Sequence, residues 1–118
     1  MELKNLPIPK CFQIIPDVNR DKRGTFTRVF NSDLFTQFGL EAVFSEEFFS
    51  TSSRGVLRGM HFQETPMDLS KIVICLSGKV FDVLLDLRTD SPKYGQHFSL
   101  ELNSDSPTAV YVPHGVAH

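Results

Sequence analysis

The chain has 118 residues, with 12 lysines and arginines against 14 aspartates and glutamates, so its formal net charge at pH 7 is −2. This length allows one domain with a modest core, and the basic residues form no cluster that could follow a phosphate backbone, which argues against nucleic acid as a partner. No apolar run approaches the roughly 20 residues of a bilayer span, and no signal stretch opens the chain, so we expect a cytoplasmic protein with no membrane partner.

Short apolar runs separated by turn residues predict an all-β protein with antiparallel sheets, built as a sandwich or a barrel. The one helix candidate lies near residues 32–38, where Asn31 or Ser32 can cap its start and Gly39 can end it. It is too short to be a core element. We therefore expect a single domain over residues 1–118, with strands in chain order at 9–15, 24–30, 43–50, 55–63, 70–76, 79–87, 95–102 and 108–112.

The strand predicted at 79–87 shows the clearest alternation of side chains. Period two predicts one dry face and one mixed face. The mixed face either lines a polar barrel interior or is an outward, solvated face, which is the more common case. The dry face holds Phe81, Val83, Leu85 and Leu87, and the mixed face Val80, Asp82, Leu84, Asp86 and Arg88.

The stretch GVLRGMHFQ at 55–63 places an arginine and a histidine inside an apolar run. Strict alternation sends Arg58 and His61 to opposite faces, but Gly59 tolerates a bulge or sharp bend that could aim both at one cavity. A lone strand histidine is either a hydrogen-bonded structural residue or a base or ligand. The sequence alone leaves both roles of His61 open.

Lys71 opens the apolar run KIVICL. A lysine at a strand end usually extends its ammonium to water. Alternatively, an ammonium held inside a barrel could stabilise a developing oxyanion. Two cysteines, Cys11 and Cys75, are too few for a disulfide framework, and we expect both to be structural.

The last residues, VPHGVAH, match the pattern P-x-G-x-x-H through Pro113, Gly115 and His118. This pattern resembles the second half-motif of the cupins. The first half-motif needs a His-x-His pair followed by a glutamate, whereas here His61 is followed by Gln63 and no glutamate at the right spacing. Two imidazoles without a carboxylate hold a divalent ion weakly, so we predict no metal and no other cofactor.

Four stretches occur together and in order: DKRGTF at 21–26, SSRGVLRGMHFQ at 52–63, KIVICLSGKVFDVLLDLRTDSPKYG at 71–95 and VPHGVAH at 112–118. Together they resemble the dTDP-4-dehydrorhamnose 3,5-epimerases. The resemblance implies a cupin-type double-stranded β-helix, or jelly roll, that is metal-independent and homodimeric. It implies an isomerase that epimerises C3 and C5 of a nucleotide-diphosphate-linked 4-keto-6-deoxyhexose, in deoxysugar or lipopolysaccharide biosynthesis.

The resemblance also implies roles for individual residues. His61 takes the position of the base that removes the proton next to the ketone, and Lys71 that of the group that stabilises the enolate oxygen. Arg23 and Arg58 fall on positions that bind the nucleotide sugar, and His118 on a further substrate-contacting histidine. The chemistry is consistent, because a weak carbon acid needs both a base and a cation at the enolate, and arginine forks suit a diphosphate.

Other substrate-binding positions depart from the family pattern. The family has a glutamate where this chain has Arg28, a glutamine at Glu46 and an asparagine at Phe48, and Leu69 also replaces a glutamine. These changes alter charge and hydrogen-bond capacity, so recognition of thymidine is left open. The family also continues past the final histidine to a tyrosine proton donor and an acidic partner of the base. The C-terminal part of the family domain is therefore expected to be absent here.

Three alternatives remain from the sequence. The first is a related 3-epimerase or ketoisomerase that uses another nucleotide sugar. The second is a non-catalytic cupin that binds a nucleotide sugar. The third and weakest is a metal-dependent cupin that uses His61 and His118.

Overall fold

A computed structural model describes all residues from 1 to 118. One short helix, Ser32–Gln37 (α1), lies among the strands, and it is far below the length that a membrane crossing requires. The strands are Glu2–Asn5 (β1), Phe12–Ile15 (β2), Asp17–Asp21 (β3), Gly24–Arg28 (β4), Lys71–Ile74 (β5), Lys79–Asp86 (β6), His97–Asn103 (β7), Ala109–Val112 (β8) and Val116–Ala117 (β9).

All strand pairs are antiparallel and form three sheets. The four-stranded sheet has the order β1-β2-β8-β5, the three-stranded sheet has the order β7-β6-β9, and β3 and β4 form a separate hairpin. The two larger sheets face each other, because one buried cluster takes side chains from both of them. Its members are Ile8, Cys11, Cys75, Leu84, Leu102, Val110, Val112 and Val116.

The other face of the four-stranded sheet is covered by α1 and the residues that follow it. Asn31 caps the helix by accepting a hydrogen bond from the Leu34 backbone N–H at 2.9 Å. Phe35 is fully buried, so the expectation that this helix is too short to join the core was wrong. Strand β8 is buried on both faces for the same reason. The second cluster contains Leu3, Phe12, Ile14, Phe35, Leu40, Ala109 and Tyr111.

The two faces of β6 are reversed relative to the prediction from alternation. Phe81, expected on the dry face, is 74% exposed, whereas Leu84 and Asp86 are fully buried. The mixed face is therefore the inner one, as in the polar-interior alternative. Burying aspartates is tolerable only when they find partners, and both Asp82 and Asp86 have such partners inside.

Six of the predicted strands are confirmed, with ends shifted by up to three residues, but those at 43–50 and 55–63 are not strands. The chain between α1 and β5 pairs with no other strand, and its apolar side chains, such as Phe48, Phe49 and Leu57, are exposed. A strand requires a neighbour for its backbone groups, and this region has none along most of its length. Three short strands, β1, β3 and β9, were missed because they are polar or very short.

Candidate functional site

The turn between β8 and β9 explains the spacing of the P-x-G-x-x-H pattern. The Val116 N–H donates to the Pro113 carbonyl at 3.3 Å, and the Gly115 carbonyl accepts from the Leu87 N–H at 3.0 Å. Gly115 has φ +72°, and a Cβ there would lie only 2.5 Å from Cγ of Arg88. Glycine is therefore required twice, for its backbone conformation and for its missing side chain.

A buried ion pair supports this turn from the side of β6. Arg88 donates through Nε and Nη2 to the two carboxylate oxygens of Asp86, at 2.8 and 2.7 Å, and through Nη2 to the Pro9 carbonyl at 2.9 Å. Ser91 adds a hydrogen bond to Asp86 at 2.6 Å. Burial acts to raise the pKa of Asp86, but the hydrogen bonds from Arg88 and Ser91 outweigh it and the pKa is lowered. Both side chains stay ionised, and Asp86 holds the Arg88 side chain against Gly115.

His118 lies beside Asp82 at the end of β9. Val116 belongs to the core cluster between the sheets, so period two places His118 on the same inner face. Its Nδ1 lies 3.3 Å from Oδ1 of Asp82. The other carboxylate oxygen, Oδ2, is buried and has no hydrogen-bond partner. One acceptor of Asp82 is therefore free in the interior next to an imidazole.

His61 lies directly opposite His118, although no strand forms around it. The His61 N–H donates to the His118 carbonyl at 2.8 Å, and the His118 N–H donates to the His61 carbonyl at 3.1 Å. Residues that exchange both hydrogen bonds carry their side chains on the same side. Gly59 has φ +122°, and a Cβ on it would approach the His118 carbonyl oxygen to 3.0 Å. The glycine thus permits the contact with His118, whereas the expected bend that aims Arg58 and His61 at one cavity is not seen.

Lys71 faces the same space from the opposite sheet. It shares a strand face with Val73 and Cys75, which pack into the cluster between the sheets, while Ile72 and Ile74 pack on the outer cluster. Lys71 is half-buried. Period two therefore places Lys71, His118 and Asp82 towards the space between the sheets, whereas His61 is exposed and is joined to His118 through the backbone. Imidazole and ammonium are groups able to remove a proton and to stabilise the resulting oxyanion.

The two arginines predicted to bind a diphosphate lie outside this group. Arg58 donates to the Ser52 hydroxyl at 2.9 Å and to the Thr51 carbonyl at 3.2 Å, within the exposed segment. Arg23 lies at the tip of the β3–β4 hairpin and pairs with Asp21 at 2.6 Å. Both guanidinium groups are held by local partners and are open to solvent.

The remaining predicted substrate-binding residues are also apart from His61 and Lys71. Arg28 lines a separate cavity of about 300 Å³ next to Met1 and α1. Glu46 is exposed and Phe48 is 81% exposed. The chain by itself does not bring these three residues to the inner group.

Asp82 was considered as one of the aspartates on the mixed face but was given no role in the site. It shares a strand face with the apolar residue Leu84, which could have indicated an inward position. An aspartate on a strand is, however, more often exposed to solvent. No group of three or more His, Cys, Asp or Glu side chains is placed to hold a metal ion.

The comparison with protein families identifies the group to which this chain is related. The sequence profile described as dTDP-4-dehydrorhamnose 3,5-epimerase matches residues 5–118. The chain belongs to this family. Among its relatives is the dTDP-4-dehydrorhamnose 3-epimerase of Streptomyces niveus, which is 38% identical over 119 residues, covering all of this chain and 58% of that protein.

Solved structures of the dTDP-4-dehydrorhamnose 3,5-epimerase family confirm the predicted cupin-type jelly roll. The enzyme from Elizabethkingia anophelis NUHP1 is 39% identical with a TM-score of 0.94, over 100% of this chain and 65% of that one. The 3,5-epimerase of Legionella pneumophila in complex with dTDP-4-keto-L-rhamnose is 34% identical with a TM-score of 0.92, over 99% and 62%. The chain thus spans about three-fifths to two-thirds of the length of these relatives.

Proposed function

We propose that this protein acts on a nucleotide-diphosphate-linked 4-keto-6-deoxyhexose as a dTDP-4-dehydrorhamnose 3,5-epimerase-like isomerase in deoxysugar biosynthesis. The observation that carries the proposal is the backbone pairing of His61 with His118, which brings two of the expected site residues side by side. A relative binds dTDP-4-keto-L-rhamnose, which supports a nucleotide sugar as the ligand. No cofactor is required, and the proposed location is the cytoplasm.

The reaction begins with proton removal next to the ketone. His61 takes the proton from carbon and becomes an imidazolium, and the electron pair of the C–H bond forms the enolate. Lys71 stabilises the enolate oxygen with its ammonium charge. His118, oriented by Asp82, contacts the sugar from the same side. Return of a proton to the opposite face of the same carbon inverts the centre.

The stabilisation of the enolate and the delivery of the final proton are separate requirements. Residues 1–118 act in this proposal as one domain that supplies the base and the cation. A site with a base but no acid supports proton exchange with solvent or partial epimerisation. Full turnover also needs a positioned acid. Exchange into the sugar is therefore the readout that isolates the roles of His61 and Lys71.

Replacement of the proposed base tests the function directly. His61→Asn should abolish the incorporation of solvent deuterium at C3 and C5 of a dTDP-linked 4-keto-6-deoxyhexose, followed by NMR in deuterium oxide. His97→Asn, a change of an exposed histidine on β7, should leave the rate unchanged. Undiminished exchange in the His61 variant would rule out this residue as the base.

A related 3-epimerase is the second candidate, because the relative from Streptomyces niveus carries that name. The same NMR experiment separates the two, since a 3-epimerase labels one carbon and a 3,5-epimerase labels two. A non-catalytic nucleotide-sugar-binding cupin would bind the ligand in calorimetry and label neither.

We propose that the working form is a homodimer. The β3–β4 hairpin that carries Arg23 pairs with no other strand, and Phe26 on it is 60% exposed. An isolated two-stranded hairpin is marginally stable in water, so a neighbour on this hairpin is expected.

A further inference from the structure

Asp82, on the inner face of β6, has one carboxylate oxygen that no group of the protein binds. Oδ1 lies 3.3 Å from Nδ1 of His118, whereas Oδ2 is buried and has no hydrogen-bond partner. It is the only buried side-chain oxygen or nitrogen of the chain without a partner. A buried acceptor that is left empty costs free energy, so this oxygen needs an explanation.

Asp86 shows that the same strand face can satisfy a carboxylate completely. Both of its oxygens accept hydrogen bonds, Oδ1 from Nε of Arg88 at 2.8 Å and Oδ2 from the Ser91 hydroxyl at 2.6 Å. The two aspartates differ in their surroundings, because Asp86 is fully buried, whereas the side chains of Asp82 and His118 are 11% and 22% exposed. Asp86 therefore supports the fold, and Asp82 lies closer to solvent, at the wall of the space between the sheets.

The side chains around Asp82 on the inner face of its sheet offer no hydrogen-bond donor. Val80 and Leu84 precede and follow it on the same face of β6, and Leu100 lies directly opposite on β7. Among the basic side chains, only His118 comes within 4 Å of the Asp82 carboxylate, and it is already matched to Oδ1. A donor for Oδ2 must therefore enter the space between the sheets.

The Asp82 carboxylate can meet a ligand in this space without any movement of the backbone. The last torsion of an aspartate side chain is broad and two-fold, so rotation about Cβ–Cγ exchanges which oxygen faces His118. An ionised carboxylate only accepts hydrogen bonds, so the ligand has to supply the donor. On a 4-keto-6-deoxyhexose linked through C1, the ketone and the ring oxygen only accept. The donors of the sugar are the hydroxyl groups at C2 and C3.

We propose that Asp82 determines specificity by accepting a hydrogen bond from the C2 or C3 hydroxyl of the bound sugar, while its other oxygen holds His118. The identity of the ligand rests on the proposed function, and the new element is a selection that neither His61 nor Lys71 supplies. A sugar that lacks this hydroxyl leaves the carboxylate oxygen empty. A site built to bind a hydroxyl rejects the analogue without it strongly, because its own polar group is then left unpaired.

Calorimetry of the intact chain with unreactive ligands tests this selection without any chemistry. dTDP-6-deoxyglucose has no ketone, and its 2-deoxy and 3-deoxy derivatives each lack one hydroxyl group. We expect one of the two derivatives to bind about 10 to 100 times more weakly than the parent, which is the range for a hydrogen bond to a charged group. The other derivative should bind as the parent does and is the internal control.

Two variants connect the selection to this carboxylate. Asp82→Leu has a similar size and no acceptor, so the parent and both derivatives should bind to it equally. Glu101→Leu removes an exposed carboxylate from the outer face of the same sheet and should keep the difference. Asp82→Leu should also unfold at the same or a higher temperature than the unchanged protein, because an apolar group replaces an unpaired buried oxygen. An aspartate that only supports the fold would give the opposite shift.

Equal binding of the parent and both derivatives by the unchanged protein would overturn the role of Asp82, as would a lack of binding or a difference that persists in Asp82→Leu. A lower unfolding temperature of Asp82→Leu would assign the residue to the fold instead. None of these results depends on proton removal, which the deuterium labelling of His61→Asn tests separately. Undiminished labelling there would remove the proposed reaction and leave the binding comparison as predicted.

Discussion

At the scale of residues, two aspartate–arginine pairs with the same spacing occupy opposite environments. Arg23 donates two hydrogen bonds to Asp21 in an exposed hairpin, and Arg88 donates two to Asp86 in the interior. Hydrogen bonds from the arginine lower the pKa of Asp21. At Asp86 burial acts to raise the pKa, and the hydrogen bonds from Arg88 and Ser91 lower it further than burial raises it. Only the buried pair is expected to matter for stability, because an exposed pair is screened by solvent.

Replacing each aspartate by asparagine should show this difference. Asp86→Asn leaves the Arg88 charge without its partner and should lower the free energy of unfolding at pH 7 by about 3–5 kcal/mol. Asp21→Asn is the matched control and should change it too little to measure. Urea unfolding followed by circular dichroism compares the two. A similar small effect from both would show that the interior pair does not stabilise the fold.

The lowered pKa of Asp86 also sets the sign of its pH dependence. Because the folded pKa lies below the unfolded value near 3.8, the contribution of Asp86 is complete above that value and is lost as pH falls through the folded pKa. The unchanged protein should therefore lose stability more steeply below about pH 4 than Asp86→Asn does. Parallel acid titrations of the two would contradict the assignment.

At the scale of elements, the β8–β9 turn depends on contacts made far away in sequence. Its glycine fits against Arg88, which is itself held by Asp86 and by the Pro9 carbonyl. The turn ends in β9, whose pairing with β6 places His118 next to Asp82. The position of the imidazole thus depends on a side chain 30 residues earlier, which no local pattern reveals.

Substituting the glycine of this turn tests the dependence. Gly115→Ala should destabilise the protein more than Gly78→Ala. The two glycines have nearly the same backbone conformation, with φ +72° at Gly115 and +77° at Gly78. The strain of a left-handed alanine is common to both and costs about 1–2 kcal/mol. Only Gly115 adds a collision with Arg88, since nothing lies within 4 Å of the other Cβ position. We expect Gly115→Ala to lower the free energy of unfolding by about 1–3 kcal/mol more than Gly78→Ala does.

Thermal or urea unfolding gives the comparison, and exchange of the His118 amide reports on the local geometry. If both alanine variants lose the same stability, Arg88 does not support the turn. The backbone conformation alone would then account for the glycine.

At the scale of the whole molecule, apolar surface between α1 and β5 is left uncovered. Val43, Phe48, Phe49 and Leu57 are each more than four-fifths exposed, and 20 of 118 residues are buried. Several large apolar side chains exposed on one segment indicate an interaction site. The proposed homodimer supplies such a cover from a second copy, and association is the property that tests it.

Sedimentation velocity over a range of protein concentrations should show reversible association. The double variant Phe48→Ser/Phe49→Ser should weaken it at least about tenfold, because buried aromatic residues dominate interface energies. Tyr94→Ser, which removes an exposed aromatic side chain elsewhere, is the control. A protein that stays monomeric at all concentrations, or a double variant that associates as before, would contradict the homodimer.

Much of the fold could be read from the sequence where pattern and environment agree. The alternation of Lys79–Asp86 predicted a strand, and the Asn31 cap with the following apolar residues predicted α1. The family profile over residues 5–118 confirms the resemblance carried by the motifs. The same reasoning failed at 43–50 and 55–63, since apolar residues alone do not make a strand without a partner for the backbone.

The sequence by itself determined the family and the periodicity of the strands, because these follow from the motif residues and their local spacing. Tertiary structure decided which face of β6 is inside, because burial of Asp82 and Asp86 depends on His118, Arg88 and Ser91. It also decided that Glu41 and Asp68 meet His114. Contacts between residues 46 and 73 positions apart arise only when the sheets assemble, and no local pattern encodes them.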